Sequence, residues 1–172
     1  MELRDATPED ADTIAGVLLA VAHHAYAELE PRRVAMMELD DLRTEWAGRL
    51  RPDRDRSSGD TFGVVATEGD RLVGVAWWLV PRGPHDVEVA DGVLTHLVVH
   101  PIAQNCGVGT ALLAHAEDAL RARRGERDAQ TARTRLHEGN WWAARFLEHR
   151  GWEREPDAAP GAGSTHAWSR EL

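Results

Sequence analysis

The chain has 172 residues, of which 42% are hydrophobic and 28% charged, a composition typical of one globular domain over residues 1–172. Its 29 acidic and 20 basic residues give a formal net charge of -9 at pH 7, which disfavours nucleic acid and anionic lipid as partners. The single cysteine, Cys106, excludes an internal disulfide and a zinc site built from several cysteines, and no metal site is predicted.

No segment of the sequence has the length and apolarity of a membrane span. The longest apolar run, Ile14 to Ala22, is well short of the roughly 20 residues that a spanning helix needs. The first ten residues carry acids and lack the basic start and apolar centre of a signal peptide. These features predict a cytoplasmic protein without a membrane partner.

All 20 basic residues are arginine, and the sequence contains no lysine. A Walker-type phosphate loop needs a Gly-Lys pair, and Schiff-base chemistry needs a lysine amine. Both functions are therefore excluded.

The first half of the chain is predicted to contain a strand, two helices and a β-hairpin. Thr7 and Pro8 form a helix start, and apolar residues spaced three and four apart extend this first helix. The predicted elements are a strand at 2–6, a helix from Thr7 to near Tyr26, a helix at Val34 to Leu50, a polar loop at 51–60, and strands at Phe62 to Thr67 and Leu72 to Val80 joined by a tight turn.

The second half is predicted to alternate strands and helices. Apolar residues recur at helical spacing from Val108, and Asn140 is predicted to cap a helix that ends at Gly151. The predicted elements are a strand at Val87 to Val99, a helix at Val108 to Arg124, a strand at Thr131 to Leu136, a helix at 140–151, and strands at Trp152 to Glu155 and Thr165 to Glu171. The order of strands and helices along the whole chain predicts an α/β fold.

A glycine-containing loop separates the strand that ends before Pro101 from the helix that begins at Val108. The first N–H groups of such a helix are unpaired and lie at the positive end of its dipole, where phosphate groups bind. Gly107 and Gly109 allow a bulky anion to approach the backbone, and Thr110 adds a hydroxyl donor. A dinucleotide-binding fingerprint would require a third glycine where this chain has Leu112.

Two motifs of this sequence resemble the GNAT superfamily of acyl-CoA N-acyltransferases. Leu97-x-Val99-x-Pro101 and Gln104-x-x-Gly107-x-Gly109 match the family's strand-loop-helix motif at every defined position. The family's Asn-x-x-Ala-x-x-Phe-Tyr-x-x-x-Gly-Phe helix is similar to the stretch that contains Asn140, Ala143, Phe146, Gly151 and Trp152. The resemblance covers nearly the whole chain and implies a central, mixed, twisted sheet of about six to seven strands with four helices, splayed between its two central parallel strands.

The resemblance also implies acetyl-CoA as the acyl donor. Backbone N–H groups of the loop would hold the pyrophosphate of coenzyme A, and the edge of the preceding strand, together with Asn140, would contact its pantetheine arm. The residues implied in this binding are Leu97, Val98, Val99, Gln104, Asn105, Cys106, Gly107, Val108, Gly109, Thr110 and Asn140. Cys106 is either a reactive thiol or a small residue that fits the loop.

The catalytic groups are less clearly indicated. Where the family has its general acid, a tyrosine, this chain has Leu147, and its single tyrosine is Tyr26. Three alternatives follow: the thiolate leaves without an acid, Tyr26 replaces it, or the protein only binds acyl-CoA. The ionisable residues expected near the point where the two central parallel strands separate are Glu88, Asp91, His96 and His137. His96 is the preferred base because imidazole titrates near neutral pH, with a packed structural histidine as the alternative, and Asp91 and Glu88 are candidates that would act through water.

The acceptor site implied by the resemblance lies between the first two helices and the central strands. The residues that fall there are His23, His24, Tyr26, Glu28, Glu38, Asp40, Asp41 and Glu45. An acidic rim suits a cationic amine such as an aminoglycoside, a polyamine or a peptide N-terminus, whereas a solvated helix face is the alternative. Most of the seven tryptophans are expected in the core, and an exposed ring would suit a homodimer.

The sequence therefore predicts an N-acetyltransferase that transfers the acetyl group of acetyl-CoA to a primary amine of a small molecule or peptide. The amine would attack directly in a ternary complex. The alternative is a non-catalytic acyl-CoA-binding sensor or regulatory module.

Overall fold

The computed structural model describes residues 1–51, 60–81, 92–124, 131–156 and 165–172. They form a seven-stranded mixed sheet flanked by helices, which confirms the predicted α/β fold. The strands are β1 (Glu2–Asp5), β2 (Asp60–Glu68), β3 (Arg71–Val80), β4 (Gly92–Val99), β5 (Thr131–His137), β6 (Glu153–Arg154) and β7 (Thr165–Glu171). The α-helices are α1 (Ala11–Val21), α2 (Pro31–Ala35), α3 (Leu39–Arg49), α4 (Val108–Arg124) and α5 (Trp141–Glu148). Within these ranges, no helix is long and apolar enough to cross a membrane.

The two central strands of the sheet separate part of the way along their length. The sheet order is β1-β2-β3-β4-β5-β7-β6, and among the described strands only β4 and β5 pair in parallel. Their pairing covers Gly92–Leu94 of β4 and Ala132–Thr134 of β5. Beyond this point β4 continues along β3 to Val99, and β5 continues along β7 to His137. The opening between Thr95–Val99 and residues 135–137, called the splay below, is the predicted gap between the central strands.

Helices cover both faces of the sheet. On one face, α4 and α5 pack against a cluster that includes Trp78 and Leu94. On the other, α1 and α3 pack against a cluster that includes Val75 and Trp77. The neighbouring residues Trp77 and Trp78 enter opposite cores because side chains alternate along a strand. Five of the seven tryptophans are buried, as predicted, and the exposed pair is Trp141 and Trp142.

The helices before β2 differ from the prediction at two points. Thr7 and Asp10 form a capping box around a short 3₁₀ turn, and α1 ends at Val21 rather than near Tyr26, because the chain continues as a wider π-helical turn over Ala22–Tyr26. The predicted helix at Val34 to Leu50 is confirmed over Leu39–Arg49, which is α3, but Val34 and Ala35 belong to the separate helix α2. Glu38 adopts an extended conformation (φ -103°, ψ 138°) and is the N-cap residue that precedes α3.

Elements after β3 agree closely with the prediction. The predicted helix at Val108 to Arg124 and the predicted final strand are confirmed. Asn140 caps α5 as predicted, since its Oδ1 accepts a hydrogen bond from the Ala143 N–H at 3.1 Å. Gly151 follows α5 with a positive φ of 77°, the left-handed conformation expected after a helix. Of the predicted strand at Val87 to Val99, residues 87–91 lie outside the described ranges.

We expect Gly63→Ala to lower the free energy of unfolding by about 2 kcal/mol, because a new Cβ would overpack the core. This Cβ would overlap the Trp77 ring, with Cζ3 only 2.6 Å away. Trp77 has little room to move, since the Trp46 ring lies 5.1 Å from it in an edge-to-face arrangement. Denaturant unfolding measures the effect. Gly48→Ala in α3 is the control, because no atom of the described residues outside the adjoining helical backbone lies within 4 Å of its added Cβ. A stability of Gly63→Ala equal to that of wild type would contradict the prediction.

Candidate active site

The splay leaves one edge of β4 open. The His100 N–H donates to the Val73 carbonyl of β3 at 2.8 Å, so Val99 and Leu97, one and three residues earlier, direct their N–H and C=O groups away from β3. The Val99 carbonyl confirms this direction, because it accepts a hydrogen bond from Gln104 Nε2 at 3.0 Å. Among the described strands, none pairs with Leu97 or Val99 on this side. Their two N–H groups are therefore directed into the splay.

A β-bulge lies at the start of the splay. Trp78 pairs with Leu94 and Trp77 pairs with His96, so Thr95 is an extra residue on β4. Where two residues oppose one, the strand's alternation is interrupted. Thr95 and His96 can therefore share one face of the sheet, although they are consecutive.

His96 lies on the α1/α3 face, where its ring is 5.3 Å from the Trp46 ring. Burial, together with the positive charges of Arg49 and Arg33, lowers the pKa of His96 to about 4, and Glu45 opposes this only in part. At neutral pH the imidazole is uncharged, so one of its ring nitrogens has a free lone pair. His96 is thus a hydrogen-bond and proton acceptor beside the splay.

The loop before α4 has the geometry of an anion site. Asn105 and Gly107 both have positive φ angles, 60° and 83°. The first i to i-4 bond of α4 runs from the Ala111 N–H to the Gly107 carbonyl at 3.0 Å, so the N–H groups of residues 108–110 precede the helical ladder. These donors lie at the positive end of a 17-residue helix. A phosphate group fits this arrangement without any lysine.

Arg150 adds a positive charge to the same end of α4, and sequence reasoning missed it. Its Nη2 donates to Thr110 Oγ1 at 2.7 Å, and its guanidinium lies 5.7 Å from the centre of the Phe146 ring. Thr110 and Arg150 also line a surface cleft of about 330 Å³ that extends along α4. Only the packing of α5 against α4 reveals this contact, because the two residues are 40 positions apart.

Tyr26 reaches the start of α5 from the far end of the chain. Asn140 Nδ2 donates to the Tyr26 hydroxyl at 2.7 Å, so the phenolic proton remains available for another acceptor. Burial raises the pKa of Tyr26, and the hydrogen bond from Asn140 offsets part of that rise. Three residues after Tyr26, Leu29 packs against the turn that precedes α5, since a Cβ on Gly139 would lie 2.7 Å from Leu29 Cδ2. Tyr26 therefore keeps its proton at neutral pH and lies next to Asn140.

The other predicted catalytic positions have different surroundings. Leu147 is buried in the core beneath α4, so α5 presents no hydroxyl there. Cys106 is exposed in the loop. The Nδ1 atom of His137 accepts a hydrogen bond from the Gly139 N–H at 3.1 Å. Glu88 and Asp91, the candidates for proton transfer through water, lie outside the described residues.

The acidic side chains expected around the acceptor are partly engaged in ion pairs. Glu45 binds Arg49 at 2.6 Å, and Asp40 binds Arg43 at 2.9 Å. Both pairs are substantially exposed, where such interactions contribute little and exchange readily. A cationic acceptor would therefore have to compete with arginine for these carboxylates.

Comparisons with known proteins agree with this geometry. The sequence model of a family described as the acetyltransferase (GNAT) family matches residues 20–152. No curated protein matches the chain in sequence. Similar solved structures include a PaiA N-acetyltransferase from Thermoplasma acidophilum in complex with coenzyme A (TM-score 0.76, 18% identity, 99% of this chain and 98% of that chain covered). Others are an acetyltransferase from Thermus thermophilus (TM-score 0.70, 20% identity, 99% and 96% covered) and a ribosomal-protein-alanine N-acetyltransferase from Brucella melitensis (TM-score 0.70, 17% identity, 100% of both chains covered).

Proposed function

Because the chain belongs to the acetyltransferase (GNAT) family, we propose that it transfers the acetyl group of acetyl-CoA to a primary amine. The observation that carries this proposal is the open β4 edge at Leu97 and Val99, which leads directly into the anion site at the start of α4. An extended ligand with a diphosphate at one end has a strand edge for its arm and helix donors for its phosphates.

Acetyl-CoA supplies an activated acetyl thioester, whose C–S bond breaks as the amide C–N bond forms. On the protein side, Gly107 and the N–H groups of residues 108–110 would hold the diphosphate, with Arg150 as a nearby counter-charge. The N–H groups of Leu97 and Val99 would pair with the pantetheine arm and stabilise negative charge that develops on the carbonyl oxygen. The splay would thus supply donors for the arm and the thioester, and the start of α4 would supply donors for the diphosphate.

His96 is proposed to accept the proton that the attacking amine loses. It is neutral at pH 7 and stands on the face where α1 and α3 border the splay. Its low pKa means that protonating it costs free energy, so its main contribution is to accept a hydrogen bond from the amine and withdraw the proton as the C–N bond forms. This orients the nitrogen lone pair towards the acetyl carbon.

Binding and turnover measurements test the proposal together. We expect acetyl-CoA and free coenzyme A to raise the thermal midpoint, whereas NAD and ATP do not; a ligand at 100 times its Kd stabilises by about 2.7 kcal/mol. Thiol release is then followed over a panel of primary amines. Turnover with at least one amine supports the acetyltransferase. Acetyl-CoA binding without turnover on any amine would support the sensor alternative, which the buried Leu147 at the tyrosine position favours.

Tyr26→Phe is expected to lower kcat by about tenfold, because Tyr26 is proposed to donate its proton to the departing thiolate. A thiolate is only moderately basic, so the loss is expected to be smaller than the roughly 100-fold or more typical of general acids. The variant keeps the ring, and the acetyl-CoA Kd measured by thermal shift serves as its control. An unchanged kcat would show that the thiolate leaves without Tyr26.

A further inference from the structure

The Thr95 hydroxyl touches two groups at the β-bulge. Its Oγ1 donates to the Trp77 carbonyl at 3.1 Å and lies 3.0 Å from His96 Nδ1. In a regular strand, consecutive side chains point to opposite faces, and this contact could not form. The bulge brings Thr95 and His96 to the same face, so the backbone irregularity creates the pair.

These two contacts together indicate where the imidazole proton lies. A carbonyl oxygen can only accept, so the 3.1 Å contact with the Trp77 carbonyl uses the single hydroxyl proton of Thr95. With that proton in use, the 3.0 Å contact with His96 is a hydrogen bond only when Nδ1 donates to Thr95 Oγ1. A neutral imidazole carries one proton, and with that proton on Nδ1, the Nε2 atom has the free lone pair.

The charged groups that face His96 form ion pairs with residues other than His96. Arg33 on α2 binds Glu30 at 3.0 Å, and Arg49 on α3 binds Glu45 at 2.6 Å. In the described part of the chain, Thr95 is the hydrogen-bond partner that the His96 ring has. Control of the tautomer therefore rests on one hydroxyl group.

We propose that Thr95 is a positioning residue that holds His96 in the tautomer protonated on Nδ1, so that Nε2 accepts the proton of the acceptor amine. This inference rests on the proposed acetyl transfer for its catalytic consequence. The pairing itself is a property of the free protein and is measurable without substrate.

The test compares Thr95→Val, which keeps the β-branched shape and loses the hydroxyl, with Thr95→Ser, which keeps the hydroxyl. Two-bond ¹H–¹⁵N correlation spectra of the full chain at pH 7 distinguish the Nδ1-protonated from the Nε2-protonated imidazole, and His96→Gln identifies the His96 signals. Turnover of acetyl-CoA is measured on the same samples. Thr44→Val is the matched control, because it removes an exposed hydroxyl that donates to the Asp40 carbonyl within α3.

We expect wild type and Thr95→Ser to show the Nδ1-protonated form and Thr95→Val to lose it. We further expect kcat of Thr95→Val to fall by about tenfold, less than the roughly 100-fold or more lost when a proton-transfer group is removed, because the His96 ring is retained. We expect recovery in Thr95→Ser and an unchanged KM for acetyl-CoA. An Nε2-protonated His96 in the wild type would overturn the proposal. So would a tautomer change in Thr95→Val that leaves kcat unaltered. A wild type without turnover on any amine would instead refute the proposed function, while the spectra still decide the Thr95 pairing.

Discussion

His96→Gln is expected to lower kcat/KM for the amine by about 100-fold, because the variant has no group to accept the amine proton. The Kd for acetyl-CoA should stay unchanged, since the phosphate donors lie on the other side of β4 from the α1/α3 face. In the wild type, the pKa of His96 near 4 keeps the imidazole neutral above about pH 5, so kcat/KM between pH 6 and 9 should follow the ionisation of the acceptor amine alone. An inflection near pH 6.5 that disappears in His96→Gln would contradict this assignment.

The same substitution is expected to change how stability depends on pH. The pKa of His96 falls from 6.5 in the unfolded chain to about 4 in the folded protein, so only the unfolded chain binds this proton between those values. The neutral ring's contribution is fully present above pH 6.5 and is lost as the pH falls towards 4. Because the ring is partly exposed, we expect wild type to lose about 2 kcal/mol relative to His96→Gln over this interval. Denaturant unfolding at pH 7 and pH 4.5 measures most of it, and parallel curves for the two proteins would refute the low pKa.

Gly107→Ala is expected to weaken acetyl-CoA binding by about 100-fold, since several hydrogen bonds to a charged phosphate depend on the loop conformation. The φ of 83° at Gly107 is strained for any residue with a Cβ, so the loop shifts and its N–H groups no longer converge. Thermal-shift titration with acetyl-CoA measures the loss. The coenzyme A titration should weaken to a similar extent, because both ligands carry the same phosphates.

A matched control separates this effect from simple destabilisation. Gly69, in the β2–β3 turn, also has a positive φ, 59°. Apart from the adjacent residues in the chain, no atom of the described part of the protein lies within 4 Å of an added Cβ at either glycine. Gly69→Ala should therefore cost a similar amount, about 1 kcal/mol, without affecting acetyl-CoA affinity. Equal affinities for Gly107→Ala and wild type would remove the phosphate role from this loop.

Local sequence signals predicted the second half of the fold well. The helix at Val108–Arg124 follows from its helical spacing of apolar residues, and the Asn140 cap follows from side-chain chemistry at a helix start. The prediction missed the break between α2 and α3, because apolar spacing continues across it. Helix α2 ends at Ala35, and the extended backbone of Glu38 precedes the start of α3. The spacing of apolar residues predicts which face of a helix is buried, but it does not predict a change in the direction of the helix axis.

The candidate site was predictable to different depths. The cofactor loop could be predicted from the sequence because its expected ligand binds to backbone N–H groups. The positions of these groups follow from the glycines and from the start of a helix. The role of Arg150 could not be predicted, because its guanidinium lies at the start of α4 only as a result of the packing of α5. Tyr26 was named as the single tyrosine, and its contact with Asn140 joins residues 114 positions apart.

By itself, the sequence determined the strand and helix order, the glycine loop before α4 and the family resemblance, because these depend on neighbouring residues. The tertiary structure decided where β4 and β5 part, that Tyr26 meets Asn140, and that Thr95 and His96 share a face. The last point depends on one extra residue opposite Trp77, which reverses the direction of a side chain without leaving a pattern in the sequence. Strand pairing is a long-range choice among whole segments, so the position of a bulge and the tautomer of the histidine beside it exist only once the sheet has formed.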